Sequence, residues 1–209
     1  MPRVSRQQTD QNRVAIEEAS SRLFREQGIR AVSVADLMAA AGLTHGGFYG
    51  HFESKDALTA VACTKAFEQS AKVWQGRVAG KPPGEARAAL VEGYLTARHR
   101  NNAGGGCPIS SLASDVAREP ADKPVHAAYV DGLQQLLALL QATQASGDDA
   151  QDRDQALAQM ATLVGAVVLA RATRGDGLSD AFLAAARQQL LTSPAPAAAT
   201  PPGEPPLRR

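Results

Sequence analysis

Aromatic residues make up only 4% of this 209-residue chain. Val, Ile, Thr and aromatics never gather into the runs from which a sheet is built. Cysteine occurs twice, as Cys63 and Cys107, too few for a disulfide framework in a chain this long. Reduced thiols and a cytoplasmic location are the expectation. Neither sign of charge dominates: 22 Lys and Arg stand against 21 Asp and Glu, a net of +1, so bulk charge announces no nucleic-acid partner. Residues 1–30 carry six Arg against four acids, an excess that a solvated helix face explains equally well. No run of about 18 apolar residues appears and the N-terminus lacks an apolar signal core, so no membrane span is expected. Also missing are a Gly-rich phosphate loop, a Cys-x-x-Cys pair and a His-Glu-x-x-His motif. No metal, cofactor or catalytic set is therefore expected. A thiol enzyme pairing Cys107 with His99 or His126 is the remote alternative, and both histidines are expected at the surface.

What the chain does have is helix formers, spaced as helices. The fold class expected is all-α. Ile16, Ala19, Leu23 and Phe24 form one stripe of a first helix over about 9–28, closed by Gly28. Ser33 suits the N-cap of a second, with Val34, Leu37, Met38 and Ala41 as its stripe. Gly42 ends it, and Thr44 can cap a very short third helix. That is a helix-turn-helix, or equally an ordinary helical hairpin. Ser54 can cap a long helix reaching about Gly80. Further helices are expected over about 85–100, from Pro108 to about Pro120, through Val125 to Leu140, and over about 153–173 and 179–192. "NNAGGG", 101–106, reads as a flexible loop between them. Residues 193–209 hold six prolines and are expected to be a disordered Pro-rich tail.

The stretch "LTHGGFYGHFESKDAL", 43–58, is unusual: three glycines interrupt aromatics placed at helical spacing, Phe48 and Phe52. With "EEASSRLFREQGIRAVSVADLMAAAG" before it, this region resembles the tetracycline-repressor-like family of bacterial regulators. The carrying residues, in order, are Leu23-Phe24, Gly28, Ser33-Val34, Ala41-Gly42-Leu43, Phe48-Tyr49-x-His51-Phe52 and Ser54-Lys55-x-x-Leu58. The resemblance covers about a quarter of the chain. It implies a three-helix DNA-binding domain over 1–55 (family-type extent about 9–69) and a helical effector-binding and dimerisation domain over 56–192. It also implies a homodimer on a palindromic operator of double-stranded DNA, released by a small-molecule inducer. The two reading segments would lie about 34–36 Å apart, one turn of DNA. A DNA binder without ligand control is the alternative.

By position in that pattern, Thr44 and His45 are the expected base readers. Gly46 and Gly47 would let the backbone approach DNA closely, or would only permit tight helix packing. Tyr49 and Lys55 resemble phosphate-holding residues. Ser33 is a cap or a phosphate contact, and His51 is either a phosphate contact or a packed histidine. In the helical body, Tyr94, Leu95, Leu112, Tyr129 and Leu133 either line a pocket or belong to the core, the core being favoured. Cys107 follows three glycines and precedes Pro108, as an N-cap would. A helix N-terminus, with Arg98 and Arg100 near, would lower its pKa and make a sensing thiol of it; the opposite reading is an inert, packed cysteine, which is favoured. The apolar run "MATLVGAVVLA", 160–170, is the expected dimer surface.

Overall fold

A computed structural model describes residues 6–192; the proline-rich segment 193–209 lies outside the described residues. Every regular element among them is helical: α1 (Arg6–Gln27), α2 (Val34–Ala40), a 3-10 segment (His45–Gly50), α3 (Lys55–Val78), α4 (Pro83–Tyr94), α5 (Ala97–Asn101), α6 (Pro108–Val116), α7 (Pro124–Gln141), α8 (Asp149–Ala172) and α9 (Gly177–Thr192). Helix starts follow local chemistry. Ser33 and Asp36 close a reciprocal capping box at α2, Ser54 caps α3, and Asp148 accepts from two amides at the start of α8. Prolines open α4, α6 and α7, where a missing N–H costs nothing.

α3 joins the two halves of the molecule. It packs against α1 at the N-terminal end and most extensively along α7 beyond it, while α8 packs on α9. At the α3–α7 crossing Gly132 lies directly on the Phe67 ring, so even a methyl group there would displace the ring. One continuous core results, from Ile16, Leu37 and Phe48 through Leu58, Phe67 and Trp74 to Leu136, Leu163 and Val167. The expected domain boundary at 55/56 thus falls in the first turn of an unbroken helix.

Two expectations need correction. The helix expected over 85–100 is two helices, because the chain breaks at Leu95 (ψ 64°) and Thr96 caps a new one through the His99 amide. The 101–106 loop is packed rather than loose: a Cβ on Gly106 would stand 2.8 Å from the Asn102 carbonyl and 2.9 Å from the His99 ring, and Gly104 lies directly on Glu26. α8 is long and apolar enough to cross a membrane by length and composition alone, a test that core helices also pass. Its Ala156, Met160, Leu163, Val167 and Ala170 are instead buried in the fold.

Candidate nucleic-acid interface

Gly42 makes the turn between α2 and the 3-10 segment, at φ 73°, a conformation that L side chains rarely adopt. Beyond it the segment is anchored by its aromatics. Phe48 is fully buried, its ring 6.0 Å from that of Phe52. Arg13 of α1 locks the far end, its guanidinium 4.4 Å from the Phe52 ring centroid and donating to the His51 carbonyl at 2.6 Å. Arg13 had no signal in the sequence, since it precedes Glu17 by four residues and reads as an ordinary surface pair.

Anchored this way, the segment turns its other side outward. Thr44, His45, Gly46, Gly47, Tyr49 and Gly50 are all exposed, Tyr49 by 72%. Thr44 sits at the N-cap, but its side chain makes no capping bond. The helix expected after Thr44 is a 3-10 turn, in which three of the six residues are glycines, a content that disfavours a stable α-helix. Added Cβ atoms at Gly46 and Gly50 would meet nothing within 4 Å, and one at Gly47 only the Met38 methyl at 3.6 Å. Tight packing within the chain therefore does not account for these glycines. A shallow groove of about 300 Å³ runs beside them, between Asn12 of α1 and His51.

Ser33 serves as a cap: its hydroxyl donates to the Asp36 carboxylate at 2.5 Å and accepts from the Asp36 amide at 3.2 Å. That hydroxyl, with the Ser33 amide, holds the Asp36 carboxyl below its usual range. Lys55 reaches back to the Ile29 carbonyl at 2.8 Å and lies 6.0 Å from the Phe24 ring, so it ties α3 to the end of α1. His51 is half-buried.

In the helical body Cys107 is the N-cap of α6, as the sequence implies, and its burial accords with the favoured reading of a packed thiol. Cys107 is 4% exposed, and burial pushes its thiol up; the Tyr94 hydroxyl, two backbone amides and Arg171 oppose this without reversing it. Arg100 is turned away, bound to Asp180 at 2.6 Å. Arg171 of α8 takes the central place instead, donating to the carbonyls of His99, Arg100 and Ser110 and to the Ser111 hydroxyl. Neither histidine is a bare surface group. His99 bonds the Cys107 backbone amide rather than its thiol, and His126 bonds the Glu119 carbonyl at 3.1 Å. No nucleophile–base pair is thereby formed. Tyr129 packs edge-on to Phe67, and Leu95 and Leu112 are core. Tyr94 is the member of that group that walls a cleft, with Trp74, Arg77, Arg98, His99 and Cys107.

Residues 16–62 match the family model of "Bacterial regulatory proteins, tetR family". The HTH-type transcriptional regulator YerO of Bacillus subtilis (strain 168) is 37% identical over 71 residues, 32% of this chain and 25% of that protein. The HTH-type transcriptional regulator AcrR of Shigella flexneri is 36% identical over 58 residues, 28% of this chain and 27% of that one. The similarity thus spans about a quarter of each relative's length. Across nearly the whole chain, the fold is that of a TetR transcriptional regulator from Chloroflexus aurantiacus, with a TM-score of 0.74 at 23% identity, covering 89% of this chain and 95% of that one. Residues 16–62 thus carry the sequence of a tetR-family regulatory region, and the chain as a whole has the fold of a solved TetR regulator.

Proposed function

We propose that this protein is a cytoplasmic, homodimeric transcriptional repressor that binds a palindromic operator and leaves it when a small molecule occupies the helical body. The observation that carries the DNA reading is the 3-10 segment. Three glycines sit on an exposed face where the fold itself asks for none, over a buried Phe48 that fixes the segment's position. Bare backbone on a rigid support suits close approach to a DNA surface, with Thr44 and His45 at the base edges and Tyr49 on a phosphate. Gly46 and Gly47 donate no side-chain contacts, so DNA shape carries part of the recognition.

Dimerisation through α8 and α9 is supported by an apolar stripe on the outer side of α8. Leu157, Ala161, Val164 and Val168 follow at helical spacing, and Leu157 and Val168 are 47% and 42% exposed. Leu178 adds to it from α9, at 55%. Apolar residues in such a row, on a helix already buried on its other side, are what a partner surface would cover. The cleft beside Tyr94 favours ligand control over an unregulated DNA binder.

The test is protection of DNA fragments from the source genome by the purified protein, with sizing of the free and bound forms. A protected site with two-fold symmetry, bound by two chains, is the expected result. A monomer that protects no symmetric site would remove the reading.

A further inference from the structure

The cleft between α3, α4 and the α5–α6 loop has a volume of about 530 Å³, the size of a site for a drug-sized molecule. Its charge is one-sided. Arg77 and Arg98 line it, and no Asp or Glu does. Neither guanidinium makes a hydrogen bond or ion pair among the described residues. A third arginine lies under the floor: Arg25, 6% exposed, donates at 2.8 Å both to the Gln69 side chain and to the Gly106 carbonyl, and both residues line the cleft. Glu26, which packs on Gly104 outside the lining, is taken by Arg22 at 2.9 Å.

The position of Arg77 is built in. A Cβ on Gly93 would stand 2.6 Å from the guanidinium carbon, so the group lies against the bare backbone of α4. Burial, and then Arg98, push the Arg77 pKa down, and no carboxylate pulls it back. A half-buried guanidinium with no acceptor is costly unless something supplies one. The apolar part of the wall is Val73, which is half exposed, with Trp74 and Tyr94, which meet edge to face at 6.0 Å; the remaining polar members, Gln69, Ser70, Thr96, His99 and Asn102, carry no negative charge.

We propose that the cleft binds a small organic anion, its carboxylate or phosphate bridged between Arg77 and Arg98 and its apolar body laid along Val73, Trp74 and Tyr94. Planar anions suit paired guanidiniums, which present forked donors. This rests on the inducer reading above only for what binding does at DNA.

The full chain is titrated by calorimetry with 2-naphthoate, 2-naphthyl phosphate and uncharged 2-naphthamide. At least one anion should bind about tenfold or more tighter than the amide, as expected for charge-assisted hydrogen bonds. Whichever anion wins decides between carboxylate and phosphate. Arg98→Gln, on an exposed side chain, and Arg77→Gln should each abolish the preference for the anion, and Arg77→Lys should keep part of it, with helicity by circular dichroism unchanged. If neither anion outbinds the amide, or if the preference survives both Gln variants, the proposal is wrong. An anion that binds through both arginines without releasing operator DNA upholds the site and removes the inducer reading alone.

Discussion

His99 accepts a hydrogen bond from the backbone amide of Cys107 through Nε2, at 2.9 Å, while its Nδ1 faces the Tyr94 carbonyl at 2.8 Å. An accepting Nε2 must be unprotonated, and a carbonyl partner requires a proton on Nδ1. The ring is therefore the neutral Nδ1–H tautomer, and protonation would set two N–H groups against each other. Burial, opposed by the Tyr94 carbonyl and aided by Arg171 and Arg77, brings its pKa down to about 4.

A depressed histidine pKa gives stability that is present above the unfolded value of about 6.5 and is lost as pH falls towards about 4, because the unfolded chain takes up the proton first. The protein should lose on the order of 2–3 kcal/mol from this group across that window. Urea unfolding at several pH values, on wild type and His99→Gln, checks it. The variant should be less stable at pH 7 and should lack the acid-side slope that His99 contributes.

Gly46→Ala should leave stability within about 0.5 kcal/mol of wild type, since the new methyl group meets nothing. The same change should weaken operator binding by about tenfold or more, if backbone approach is what the glycine provides. Gly106→Ala is the reverse case: it collides with the Asn102 carbonyl and the His99 ring and should cost about 1–3 kcal/mol of stability. Thermal unfolding and mobility shifts on both variants separate the two roles.

Tyr49→Phe should weaken binding to every DNA sequence alike, whereas His45→Ala should change sequence preference. Lys55→Ala should lower the salt dependence by about one counterion if the ammonium reaches a phosphate, and should cost stability through Ile29 in any case. Titrations on operator and random DNA at several salt concentrations distinguish these effects.

Val164→Glu with Val168→Glu should give folded monomers that no longer hold the operator, because two carboxylates would enter the outer stripe of α8. Light scattering together with DNA binding checks this. An unchanged dimer would place the interface on another surface.

Both thiols should alkylate slowly in the native protein near neutral pH and quickly in urea. Burial raises Cys63 to about 12 and raises Cys107 as well. Mass spectrometry of timed alkylation reads both sites at once. Fast native labelling of Cys107 would restore it as a sensor.

Much of the N-terminal third was legible because its signals are local. Gly42, the Ser33 and Ser54 caps, and the Phe48–Phe52 spacing each fix a feature within a few residues of themselves. The break at Leu95–Thr96 was harder to see, since Thr96 is also tolerated within a helix; here it caps α5 through the His99 amide, while the His99 ring bonds the Tyr94 carbonyl. The Cys107 environment was left between two readings, the packed one favoured, because a helix N-terminus is visible in sequence and burial is not. What covers the thiol, Tyr94 and the loop held by Arg171, comes from distant parts of the chain. Arg77 carried no pattern at all, for its place depends on Gly93, sixteen residues on.

The unbroken course of α3 gives the molecule a lever. Lys55 stands at the end beside the 3-10 segment, and Trp74 and Arg77 stand near the other, where the cleft opens. The 22 residue steps from Lys55 to Arg77 span about 33 Å of rigid rod. A tilt of about 5° applied at the cleft would carry the Lys55 end about 3 Å sideways, close to the rise of one base pair. On the proposed reading of two heads fitted to one helical turn, a displacement of that size in each would put them out of step.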